Sequence, residues 1–296
     1  MQWSRRGFLR TALAFGAEAM IAPALARPAW AAPAPDLVVV TGDSPARNCH
    51  AAVEALGGFA RFVRPGDRVA LKPNPVGHHP PEAAVNTHPE MVAEVVRGCL
   101  GVGAQEVVVL SHDGMRSFIG NGTLAAVNEA GGRVLALAEA DQFREIPVAR
   151  GKILRSERIA ADVLDADVFI NMPIAKHHAG AEVTLALKNL MGINWDRVHY
   201  HRTDLHQCIA ELGTCVRHDL VIMDANHVLL TNGPVGPGEV RHARQVIAGT
   251  DPVAVDALAM REFFGTPDRA RHVGIAHALG AGRMDLDRMD IRTIGA

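Results

Sequence analysis

Between Asn171 and Trp195 the chain reads NMPIAKHHAGAEVTLALKNLMGINW, setting lysines, histidines, asparagines and a threonine among apolar residues. A lysine ammonium stranded in a low-dielectric interior costs several kcal/mol, so an apolar segment carrying Lys188 must supply a partner or a ligand. From Val183 to Met191 the run is apolar nearly all round, broken only by Thr184, Lys188 and Asn189. It reads as a helix on which Thr184 and Lys188 share one face, with Asn189 about 100° further round. That face points at something polar, unless the lysine snorkels to solvent. Lysines of this kind bind an anion, or hold a covalent adduct where burial frees the amine, and a neighbouring histidine supplies a general acid or base. The candidate catalytic residues are therefore His178, Lys176 and Lys188. The candidate ligand-binding residues are Lys72, Asn74, Thr184, Asn189, Asp224 and Asp256.

The order Asn171-x-Pro173-x-x-Lys176-x-His178, then Thr184, Lys188-Asn189 and Gly192, resembles the domain of unknown function 362 family. Further matches are Leu71-Lys72-Pro73-Asn74, Asn86-Thr87-His88-Pro89, Asp224, Gly233-Pro234 with Gly236, and Asp251-Pro252-Val253-Ala254-Val255-Asp256. The resemblance covers most of the chain from residue 36 to 296 and implies a single α/β domain with a site built on these residues. Some members of the family carry an appended iron–sulphur ferredoxin module. Here Cys49, Cys99, Cys208 and Cys215 form no C-x-x-C pair, so the chain has no iron–sulphur motif. Cys208 and Cys215, seven apart on one expected helix, lie about two turns from each other, too far for a disulfide.

Short Val-rich runs alternate with amphipathic or Ala-rich segments, the pattern of a mostly parallel sheet with helices on both faces, in one domain or two intimately joined lobes. Strands are expected near Leu37 to Thr41, Arg68 to Lys72, Glu106 to Ser111, Arg133 to Leu137, Val168 to Asn171, Leu220 to Asp224 and Gln245 to Ala248. A helix from Pro89 to Val102 follows a Thr87–Glu90 capping box. Asp251 is placed to cap a helix from Pro252 to Phe264. Lys72 and Asn74, His112 and Asp113, Lys176 and His178, Asp224 and Asn226, and Asp251 all fall at carboxyl ends of expected strands, where open α/β sheets bind ligands. Asp256, among Val253, Ala254, Val255, Ala257 and Leu258, is a half-buried carboxylate calling for a lysine or a metal. The Gly/Pro-rich stretch from Thr231 to Gly238 is a loop that either lids the site or simply connects.

Among the 15 histidines, His178, His201 and His206 suggest a nitrogen-rich metal shell, although their spacing matches no zinc signature. No G-x-S-x-G elbow, H-E-x-x-H helix, G-x-G-x-x-G fingerprint or P-loop occurs.

At the amino end, Ser4-Arg5-Arg6-Gly7-Phe8-Leu9-Arg10 precedes an Ala-rich apolar run and small residues suited to cleavage after Ala26, Ala31 or Ala32. Residues 1 to 31 thus read as a cleaved twin-arginine signal peptide, too short in its apolar run to span a bilayer. The expected location is the periplasm, the expected partner the twin-arginine export machinery, and a cofactor or metal loaded before export fits that route. Removing residues 1 to 31 takes away four arginines and one glutamate, so the formal charge of −2 becomes −5. A mildly acidic surface argues against nucleic acid as a partner. The sequence therefore points to an exported α/β protein that holds a small anionic substrate or cofactor. Such a protein is either an enzyme of redox or group-transfer chemistry, or a periplasmic binding or cofactor- or metal-delivery protein without catalysis. Changing Arg5 and Arg6 together to lysine should leave uncleaved precursor in the cytoplasm, as read by fractionation and immunoblot. Normal periplasmic accumulation would refute the leader assignment.

Overall fold

The computed structural model describes residues 34–296, so the leader lies outside the described residues. The strands are β1 Leu37–Thr41, β2 Arg68–Pro73, β3 Glu106–Ser111, β4 Arg133–Ala136, β5 Phe143–Pro147, β6 Ser156–Ala160, β7 Val168–Met172, β8 Ile174–His178, β9 Glu182–Thr184, β10 Leu220–Leu229, β11 Val240–Arg241, β12 Gln245–Gly249 and β13 Ile291–Gly295. Each of the seven expected strands begins at the expected residue, and β10 runs five residues further than expected.

Eleven strands join one sheet with main order β13-β1-β12-β10-β7-β2-β3-β4, while β5 and β6 form a separate hairpin. The β10-β7-β2-β3-β4 run is parallel throughout. Strand β12 lies antiparallel to both β1 and β10. The sheet is thus mostly parallel, as expected. Its alternating side chains divide into two cores. Val38, Val40, Val69, Leu71, Val107, Val109, Val168 and Ile170 pack beneath helices Pro45–Ala55 and Pro89–Gly101. Leu37, Val39, Ala70, Val108, Leu110 and Phe169 face the other way, beneath helices Leu205–Gly213, Pro252–Ala259 and Arg271–Ala278. Period-two alternation between two buried faces is what a helix-covered parallel sheet requires.

The segment around Lys188 departs from the expected helix. Glu182–Thr184 is the short strand β9, paired antiparallel with β8, and only Ala186–Asn189 is α-helical before a 3-10 stretch, Leu190–Ile193. Thr184 and Lys188 therefore do not share a helix face. A run apolar on all sides suits a buried hairpin edge as well as a buried helix, and periodicity alone cannot separate them. Helix Pro89–Gly101 is capped by His88, whose ring nitrogen accepts from the Glu90 N–H, rather than by Thr87. Thr87 instead donates to the Met172 carbonyl at 2.7 Å and accepts from the Asn74 N–H at 2.9 Å, tying the end of β2 to β7. Asp251 caps its helix as expected, but the α-helical part ends at Ala259. All four cysteines are free, and Cys215 lies beyond the helix that holds Cys208.

Among the described residues Asp256 pairs with no lysine. Its carboxylate accepts from the N–H groups of Ala186 at 2.6 Å and Leu187 at 3.0 Å, the buried start of the short helix bearing Lys188. Helix N-termini leave such donors unpaired, and here a carboxylate from a second helix satisfies them. Burial pushes its carboxyl up to about 8, against the pull of the two backbone donors. Asp256→Ala strands both donors in the core and should cost roughly 2–5 kcal/mol of unfolding free energy. Urea denaturation measures it, and a loss within the error of an ordinary surface substitution would contradict this anchoring role.

Candidate functional site

Strand β2 delivers Lys72 to the face shared with Ala70, and in-register β7 places Asn171 beside it. The short helix Ala186–Asn189 crosses above them and inserts Asn189, whose amide makes four hydrogen bonds. Its oxygen accepts from Lys72 Nζ at 3.2 Å and from Asn74 Nδ2 at 2.9 Å. Its nitrogen donates to the Lys72 carbonyl at 3.1 Å and to Asn171 Oδ1 at 2.8 Å. Asn171 in turn donates to the Ala186 carbonyl at 2.9 Å. A buried amide with every donor and acceptor filled fixes its neighbours tightly. Gly192 completes the packing, because a Cβ there would stand 2.3 Å from Lys72 Cε.

These elements enclose a cavity of about 250 Å³. Lys72, Lys176, Lys188 and Arg197 bring positive charge to its wall, and among the described residues Asp113 is its only carboxylate. His178, His201, Thr184, Asn74, Asn189 and Pro234 also line it. Lys176 extends from β8 and donates to the Val85 carbonyl at 2.7 Å. Lys72 also donates to its neighbour, the Pro73 carbonyl. Lys188 Nζ has no hydrogen-bond or ion-pair partner among the described residues. The Thr184 hydroxyl and the Asn74 amide oxygen are likewise buried without partners. Arg197 forms a 2.9 Å ion pair with Asp113 and donates to the His112 carbonyl.

Burial, reinforced by the neighbouring cations, lowers the lysines from the ordinary 10.5 to about 7 for Lys72, about 7 for Lys176 and about 8 for Lys188. Asp113 is held below the usual carboxylate range, since Lys72, Arg197 and the Ser111 hydroxyl together outweigh the effect of its burial. Burial followed by the charges of Lys188 and Lys176 pulls His178 down to about 3, so its ring is neutral at physiological pH. Its Nδ1 accepts from the Gly180 N–H at 3.1 Å, which assigns the ring proton to Nε2. At this edge a neutral imidazole with Nε2–H offers a donor.

Three expected site residues stand elsewhere. Asp224 lies one position out of phase: Met223 and Ala225 face the core behind the cavity, while Asp224 points to the opposite face. There it accepts from the His88 N–H at 2.8 Å and from Asn226. Asp256 anchors the lysine-bearing helix from behind, as described above. His206 turns to His272, with their Nδ1 atoms 3.2 Å apart, and so leaves the expected metal shell with His178 and His201. Among the described residues no group of three or more His, Cys, Asp or Glu is placed to hold a metal ion. Asp251 lies at the opposite sheet edge, because β12 runs against its neighbours. His112 stacks on Trp195, their ring centroids 5.5 Å apart.

Arg197 was not legible as a site residue. It opens the helix Arg197–Arg202, far in sequence from the Asp113 it pairs with, and no local spacing announces it.

The family model of the domain of unknown function DUF362 matches residues 69–261, which include every lysine of the cavity. The chain belongs to the DUF362 family. It is 29% identical over 225 residues to a protein of Synechocystis sp. described as thylakoid-associated, covering 69% of this chain and 65% of that protein. The chain thus spans less than two thirds of that relative's length. Among solved structures it is similar to the lactate racemase apoprotein from Thermoanaerobacterium thermosaccharolyticum, with a TM-score of 0.46, 9% identity, and coverage of 70% of this chain and 54% of that one. A second is a structural-genomics protein from Thermotoga maritima, with a TM-score of 0.43, 14% identity, and coverage of 77% and 58%. Among the described residues no helix is long and apolar enough to cross a membrane.

Proposed function

We propose that this DUF362 protein is an enzyme that binds a small anionic substrate or cofactor between Lys72, Lys176, Lys188 and Arg197 and carries out group-transfer chemistry on it. The observation that carries this reading is the pair of buried, unpartnered groups on the cavity wall, the Thr184 hydroxyl and the Asn74 amide oxygen, with the half-buried Lys188 Nζ beside them. Buried polar groups without partners are costly, so their convergence on one small space calls for a ligand that pairs with them. Four basic side chains facing one carboxylate favour an anion as that ligand. At about 250 Å³ the cavity lies below the usual range for drug-sized molecules, which favours a small one. Each residue has its role. Lys72 and Lys176, held by carbonyls and Asn189, supply positive charge in their protonated forms; Thr184 and Asn74 orient the ligand; His178 donates from Nε2 toward oxygen; Asp113 holds Arg197 in place. The Ser4–Arg10 leader supports export of the chain to the periplasm by the twin-arginine route. The thylakoid association named for the Synechocystis relative fits work at or beyond a membrane.

Isothermal titration with oxalate and inorganic phosphate tests the site. In a double-mutant cycle, Lys72→Met and Lys176→Met should couple by roughly 0.5–3 kcal/mol, because both charges act on one anion. Methionine keeps the stem volume and removes the buried charge. Affinity should fall as pH rises through about 7 to 8, since each lysine loses its proton at its lowered pKa and the attraction goes with it. Additive losses, or affinity indifferent to both substitutions, would move the anion elsewhere.

A further inference from the structure

All but four of the chain's 30 Lys and Arg residues are arginine, and the four lysines are Lys72, Lys152, Lys176 and Lys188. Three of those four line the same cavity. Elsewhere the chain meets its need for positive charge with arginine, as in its ion pairs to Asp43, Glu106 and Asp165. Arginine also suits anions better, since its planar fork binds carboxylate or phosphate bidentately. The property lysine has and arginine lacks is an amine that can lose its proton and become a nucleophile.

The cavity distinguishes its lysines from one another. Lys72 donates to the Pro73 carbonyl and to Asn189 Oδ1, and Lys176 donates to the Val85 carbonyl. Both are directed by acceptors. Lys188 is only partly buried and has no such acceptor among the described residues, so its nitrogen is free to turn toward a ligand. Its helix is held at the start by Asp256 and at the end by Asn189, which fixes where that nitrogen can reach. Burial and Arg197 lower it to about 8, which leaves an appreciable share of free amine near neutrality.

We infer that Lys188 is a covalent nucleophile, forming an imine with a small carbonyl-bearing acid, a 2-oxo acid or aldehyde acid, whose carboxylate is held by Lys72, Lys176 and Arg197. The inference rests on the anion-binding reading above and adds the bond. The Lys188 Nζ lone pair forms a bond to the carbonyl carbon, and the C=O π pair moves to oxygen, which takes up a proton while nitrogen loses one. The carbinolamine oxygen then takes up a second proton and leaves as water as the nitrogen lone pair closes the C=N bond, and the nitrogen sheds its remaining proton. Amine and carbonyl give imine and water, with no change in oxidation state. His178 Nε2–H and the unpartnered Thr184 hydroxyl are the donors available to the carbonyl oxygen on this route.

The test is reductive trapping on the full chain with glyoxylate and sodium cyanoborohydride near neutral pH, read by intact mass and peptide mapping. The expected result is one added carboxymethyl group per chain, mapped to Lys188, formed faster than at exposed Lys152 and suppressed by excess oxalate. Lys188→Arg should lose the adduct while keeping the wild-type thermal midpoint, and Lys152→Arg should retain it. An adduct on Lys72 or Lys176 instead, or modification of Lys188 no faster than of Lys152, would overturn the assignment. A thermal shift with glyoxylate but no Lys188 adduct would refute the covalent step and leave anion binding standing. Absence of both would refute the two together.

Discussion

Crowding three lysines and an arginine around one small cavity is the constraint on which the rest of the site depends. Like charges in a low-dielectric space repel strongly, and each loses hydration on burial. The fold answers with dipoles rather than with an equal number of carboxylates. Carbonyls of Pro73 and Val85 and the oxygen of Asn189 meet the Lys72 and Lys176 ammoniums, and Asp113 pairs with Arg197 while its charge also acts on Lys72. Replacing those dipoles with carboxylates would relax the lysines toward ordinary values and close the site to an external anion. In the proposed function, the shortage of negative charge is what draws an anion to the cavity.

Such an arrangement holds only if the backbone beneath it is rigid. Asn189 ties the Lys188 helix to β2 and β7 through all four bonds of its amide. Asp256 fastens the start of the same helix from the far side, and Gly192 leaves room for the Lys72 side chain against the chain that follows. Thr87 clamps Asn74 to the end of β7. Residues matching the family pattern thus include several that never face the cavity but determine where its lysines stand.

The sheet was legible in the sequence because Val-rich runs with turn signals between them read the same way from either face, and each expected strand starts where it was placed. The convergence of Lys72, Asn74, Lys176 and His178 followed from the rule that parallel strand ends meet at one edge. What escaped the sequence depends on phase, direction or distant partners. Asp224 failed by one residue of alternation, and Asp251 by the reversed direction of β12, neither visible in local composition. The run from Val183 to Met191 holds a turn between strand and helix where periodicity suggested a single helix. Asp256 was expected half-buried against a lysine or a metal; it is fully buried and accepts from the backbone of another helix, which no spacing rule reveals. His206 found His272, some sixty residues away in sequence, instead of a metal shell.

Three lysines that line one charge-rich cavity must titrate far below solvent-exposed ones, and NMR of the lysine side chains measures this. With only four lysines in the chain, labelled lysine gives four signals to assign and follow with pH. Lys72 and Lys176 are expected to titrate near 7 and Lys188 near 8, each moving when a neighbour is replaced by methionine. Titration of all three near 10.5, independent of one another, would show that the ammoniums stand in solvent and would contradict this.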